Sequence, residues 1–116
     1  MQRDVRAYLW DMREASQAIQ DFISDMNAAT YASTPLVHSA VERKFEIIGE
    51  ALNQLAKLDP ALAARIPHHP QIIAFRNQLI HGYAVINHET VWNVTQTELH
   101  TLLDAVKNLM DELETD

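Results

Sequence analysis

Residues 72–83 read Ile-Ile-Ala-Phe-Arg-Asn-Gln-Leu-Ile-His-Gly-Tyr, and they carry the residue types with the clearest chemistry in the chain. On a helix turning about 100° per residue from Ile72, Phe75, Leu79, Ile80 and Ile73 form one apolar arc, and Arg76 at about 40° falls inside it. A guanidinium does not lose its proton, so a place on the core side requires carboxylates, carbonyls or a bound anion to take its donors. Asn77 at about 140° and His81 at about 180° flank the arc one turn apart, so a polar strip of Arg, Asn and His runs down one side. His81 falls in the last turn, where unpaired carbonyls favour the imidazolium. One reading is a phosphate-directed site. Arginine grips phosphate through two N–H groups, and histidine moves protons near neutral pH, as metal-free RNA cleavage requires at the 2′-hydroxyl or the leaving 5′-oxygen. The other reading is structural: Arg76 pairs with a carboxylate such as Glu46 or Glu50, and His81 caps carbonyls.

The elements that position this segment are helical. Val5, Tyr8, Leu9, Met12, Ala15, Ile19, Phe22, Ile23 and Met26 recur at three- and four-residue steps and predict a helix of about six turns. A loop is expected over 27–34, with Thr34 capping a second helix that Pro35 opens and that runs to about Leu58. That helix turns Val37, Val41, Phe45, Ile48, Leu52 and Leu55 inward, and Glu42, Glu46, Glu50, Asn53 and Lys57 outward. Asp59-Pro60 opens a short helix closed off by Pro67 and Pro70. The helix bearing Arg76 begins near Pro70 and is expected to end at Gly82 in a positive-φ cap. Asn87 caps a single last helix whose stripe is Val91, Val94, Leu99, Leu102, Val106, Leu109 and Leu113. The fold class is therefore all-α, an antiparallel bundle of four main helices plus one short helix, in a single domain over 1–116.

The composition narrows the function classes. The 116 residues include no cysteine and only two glycines, Gly49 and Gly82, which excludes disulfides, thiol catalysis and zinc-thiolate sites and argues against glycine-rich phosphate loops. No membrane span is expected, and the acid-containing amphipathic start fits neither a secretory nor a transit signal, so the cytoplasm is the expected compartment. The net charge is −7, ordinarily adverse to nucleic acid. Its distribution is uneven: residues 37–83 hold five bases and four acids, whereas 84–116 hold one base and seven acids. A polyanion site belongs in the middle of the chain.

Read as a pattern, Arg76-Asn77 followed by His81-Gly82-Tyr83 resembles the Arg-polar-spacer-His motif of the HEPN superfamily, and the His-x-Tyr continuation resembles its HepT-like branch. Arg3-Asp4 with Tyr8-Leu9 resembles the family opening, Glu46-Ile47-Ile48-Gly49-Glu50-Ala51 its second-helix signature, and Val91-Trp92 the start of its last helix. The pattern departs after Tyr83, where Ala84 and Asn87 stand in place of aromatic and acidic residues. The resemblance implies an all-helical homodimer acting as a metal-independent endoribonuclease toxin without a cofactor. It also implies a cognate minimal nucleotidyltransferase antitoxin that adds adenylate to the motif tyrosine. Carried onto this chain, Arg76 and His81 are the catalytic pair, Asn77 the polar support and Tyr83 the modified residue. The rival reading is a non-catalytic helical partner subunit of a nucleotidyltransferase; a third is a plain dimeric interaction bundle.

Other residues invite plainer expectations. Gly49 offers either close helix approach or simple packing. No histidines lie four residues apart and His68-His69 are adjacent, so no dedicated metal site is expected. Glu42, Glu46 and Glu50 share a face that could hold a metal but more simply pairs with Arg43, Lys57 or Arg76. Tyr8, Trp10 and Trp92 fit core or interface aromatics.

Overall fold

The computed structural model describes residues 3–82 and 86–114. All regular structure among them is helical: α1 (Val5–Ile23), α2 (Ala28–Ala32), α3 (Pro35–Leu58), α4 (Pro60–Ala63), α5 (His69–His81), α6 (His88–Thr97) and α7 (Leu99–Glu114). Among the described residues no helix is long and apolar enough to cross a membrane.

Local signals set most of the boundaries. Asp4 caps α1 by accepting from the Arg6 amide at 2.8 Å, and Pro35 opens α3 as its first residue. Asp59 accepts from the Leu62 amide at 3.1 Å to start α4, and Asn87 does the same for α6 through the Thr90 amide at 3.2 Å. Each such acceptor takes one of the donors that a helix start leaves unpaired.

Five expectations need correction. The first helix ends at Ile23 rather than Met26. The expected loop over 27–34 contains α2, because Asn27 Oδ1 accepts from the Thr30 amide while Thr30 Oγ1 accepts from the Asn27 amide, both at 2.9 Å. This reciprocal cap closes a turn that Tyr31, fully buried, anchors to the core. Thr34 does not cap α3; its hydroxyl donates instead to the Thr30 carbonyl at 2.6 Å. Gly82 ends α5 at φ −78° rather than in the left-handed region. Glycine is suited there for another reason, since a Cβ would overlap the Gln78 carbonyl oxygen. Finally, the last helix is broken at Glu98. Thr95 and Thr97 donate their hydroxyls to the carbonyls of Trp92 and Asn93 at 2.6 and 2.9 Å, an arrangement that bends helices. The described residues thus form seven helical segments in place of the expected four main helices and one short one.

The long helix α3 is the hub, packed on one side by α1 and on another by α5, with α7 against α1. Leu9, Met12, Ile19, Val41, Ile48, Leu52, Leu55, Leu99 and Val106 meet in this core. Removing their apolar surface from water holds the helices together at roughly 25 cal/mol per Å². The consequence for the site is that α5 is fixed chiefly through its contact with α3.

Candidate functional site

Two neighbouring residues of α3 receive Arg76. A Cβ at Gly49 would overlap the Cβ and Cγ of Arg76, so the arginine stem occupies space that any other residue would fill. The next residue, Glu50, accepts from Arg76 Nη2 through its Oε2. Arg76 Nη1 donates to Asn77 Oδ1 at 2.8 Å, and Gln54 Nε2 donates to Glu50 Oε1 at 3.1 Å. The Arg76 side chain is 20% exposed, with Nε buried and unpaired. Of the two partners considered from the sequence, Glu50 is the one that holds Arg76. Glu46 pairs with Arg43 at 3.4 Å.

Beside the Arg76–Glu50 pair is a hollow of about 280 Å³ whose walls include Arg3, Arg43, Glu46, Gln54 and Ile80. Arg3 pairs with Asp11 at 2.6 Å. Every arginine at this hollow therefore already faces a carboxylate, and within one chain an incoming phosphate competes with Glu50 for Arg76. Arg3 also lies 5.0 Å from the centre of the Tyr8 ring.

His81 lies in the last turn of α5 and is exposed. It lies five positions beyond Arg76, a rotation of about 140° beyond a full turn, so the two side chains leave α5 on different sides. The structure brings Arg76 and Asn77 together, and His81 follows Asn77 by one turn on the flank of α5 away from the Arg76–Glu50 pair. Ile80, expected within the apolar arc, is 41% exposed beside that hollow. Tyr83 lies outside the described residues.

Sequence reasoning missed a second constellation. His38 and Glu42 from α3 meet His88 from α6, with ligand-capable atoms all within 4.8 Å of one another. A search for histidine pairs four apart passes over it, whereas the histidine-glutamate spacing of four on α3 is a signal that finds half of it. Of the aromatic residues, Trp92 packs at 5.5 Å from the Tyr31 ring, while Trp10 is 49% exposed.

Comparison with known proteins gives the chain a family. Residues 12–109 match the family described as Ribonuclease HepT-like. "Putative RNase MJ0125" from Methanocaldococcus jannaschii is 28% identical over 114 residues, covering 97% of this chain and 96% of that protein. "Putative RNase MJ0127" from the same organism is 29% identical over 117 residues, covering 97% and 92%. "Probable ribonuclease HepT" from Thermococcus cleftensis is 28% identical over 109 residues, covering 94% and 98%. No solved structure matches the chain significantly. With the match spanning most of its length, the chain belongs to the Ribonuclease HepT-like family and is an endoribonuclease of that family.

Proposed function

We propose that the chain is the toxin of a toxin-antitoxin pair, cutting RNA in the cytoplasm without a metal ion at the reacting phosphate. Arg76 binds the non-bridging oxygens and His81 transfers the proton, while Asn77 steadies the guanidinium. The nucleophile is the 2′-hydroxyl, which attacks the adjacent phosphorus as the bond to the 5′-oxygen breaks. The proton lost by one oxygen and gained by the other passes through His81 or water. The observation that carries this reading is the seating of Arg76, with its stem against Gly49 and its head held by Glu50 and Asn77 at the rim of a hollow.

The active form is a homodimer, in which α1, α3, α5 and the α6–α7 pair make the antiparallel bundle of each subunit. Two observations support dimerisation. Arg76 and His81 leave α5 on different sides, and the arginines at the hollow are matched by carboxylates. A second α5 facing the first supplies another His81 and another Arg76 to grip the RNA phosphate.

The partner is a minimal nucleotidyltransferase that adenylylates Tyr83. The added phosphodiester carries one negative charge and would occupy Arg76 and His81 in place of RNA, while the adenosine blocks access.

The Arg76–Glu50 pair also favours a second reading, in which Arg76 is structural and the chain serves as a non-catalytic subunit of the nucleotidyltransferase. Induced expression with and without the partner gene separates the two. Wild type alone should arrest growth, and His81→Ala should not. Equal growth of both without the partner would favour the non-catalytic reading.

A further inference from the structure

Away from α5, three helices bring together polar groups that RNA cleavage leaves unused. His38 and Glu42 lie one turn apart on α3, His88 is the first residue of α6, and Tyr31 comes from α2. The Nδ1 atoms of His38 and His88 lie 3.6 and 3.7 Å from the same Glu42 Oε2. Those separations are too long for hydrogen bonds. Both Nδ1 atoms are buried without a hydrogen-bond partner, as is the Tyr31 hydroxyl, and the only charge facing both imidazoles among the described residues is Glu42. Three buried, unpaired polar atoms in one place is a costly arrangement that calls for a ligand. The imidazoles stack with centres 3.8 Å apart and planes at 26°, and Tyr31, fully buried, meets both edge-on at 6.1 and 6.4 Å.

We propose that His38, Glu42 and His88 form a binding site for a divalent transition metal, with zinc the best-fitting ion. A tetrahedral ion with bonds of about 2.0–2.1 Å holds neighbouring ligand atoms about 3.3 Å apart. The observed 3.6 and 3.7 Å spacings to Glu42 are close to that edge. Two imidazoles and one carboxylate suit zinc and its neighbours better than calcium or magnesium, which favour oxygen. They also leave a fourth position for water. The stacked rings must splay modestly so that each nitrogen lone pair points at a common centre. The buried Tyr31 hydroxyl, which has no hydrogen-bond partner of its own, would be available as a donor to metal-held water. Bound metal would tie the start of α6 to α3, fixing the chain shortly after the Arg76–His81 segment.

The test uses tag-free full-length chain stripped with chelator and titrated with Zn²⁺ against a chromophoric chelator. One ion per chain is expected, and Tm should rise by about 10 °C at a hundredfold excess of free zinc over Kd. His38→Gln and His88→Gln should each weaken binding by on the order of 100-fold, whereas His68→Gln with His69→Gln should not. Because the first two substitutions also touch the Tyr31 packing, wild type is examined directly. Co²⁺ should give the intense visible bands of a four-coordinate site, and Zn²⁺ should shift the Nδ1 resonances of His38 and His88. Zinc binding unchanged in both variants, no rise in Tm, or unmoved Nδ1 resonances would overturn the site.

Discussion

Arg76 of α5 lies so close to Gly49 of α3 that a methyl group on Gly49 would coincide with the arginine stem. A charged residue on a core-facing arc is accommodated because α3 offers a vacant side-chain position there and, one residue later, a carboxylate. Gly49→Ala should therefore force α5 away from α3 and cost about 1–3 kcal/mol, as overpacking does. Denaturant unfolding measures the loss, and RNA cleavage should fall with it even under conditions where the variant remains folded.

Glu50 acts on Arg76 more than on the fold. Its side chain is 47% exposed, so Glu50→Gln should lower stability by no more than about 1 kcal/mol. Cleavage should change more than stability, because the guanidinium loses the group that aims it. Arg76→Lys should fail to restore the site, since an ammonium cannot hold Glu50, Asn77 and phosphate with one planar fork. Parallel unfolding curves and initial rates distinguish the two effects.

Tyr31 gives a pH signature. Its pKa in the folded chain is raised, by burial first and the charge of Glu42 second. The unfolded tyrosine ionises near pH 10. The sign follows: the contribution is fully present below pH 10 and is lost as pH rises from there towards the folded value. Thermal melts across this range should show Tm falling more steeply for wild type than for Tyr31→Phe, and absorbance titration should find one tyrosine that resists ionisation until the chain unfolds.

Much of this architecture is legible in the residues themselves. Pro35, Asp59 and Asn87 mark helix starts through short-range chemistry that the folded chain preserves. The turn at Asn27 is missed because a five-residue helix has no periodicity, and the decisive Asn27–Thr30 exchange is a side-chain detail. The break at Glu98 hides in a stripe that continues across it; the five-residue step from Val94 to Leu99 is its only trace in the spacing. Arg76 is legible as a core-side cation, but the choice of Glu50 over Glu46 depends on how deeply α5 settles over Gly49. The meeting of His38, Glu42 and His88 is tertiary, and only the His38–Glu42 spacing foreshadows it.

Control through Tyr83 is checked by intact mass. After co-expression with the nucleotidyltransferase, the chain should gain adenylate at Tyr83, and Tyr83→Phe should stay toxic while escaping neutralisation. Neutralisation of wild type with Tyr83 unmodified would leave inhibition by complex formation in its place. Light scattering of the unmodified chain at micromolar concentration should give about twice its 13.2 kDa mass.

The most direct measurement is cleavage of labelled RNA by purified protein in chelator, at a temperature where the helices of every variant are intact by circular dichroism. The wild type should cut at an undiminished rate in chelator. His81→Ala and Arg76→Ala should each lose about 10²–10⁴ in rate while keeping their helices. Full activity in His81→Ala, or a reaction that stops in chelator and returns with added metal in wild type and in His38→Gln alike, would contradict the Arg76–His81 mechanism.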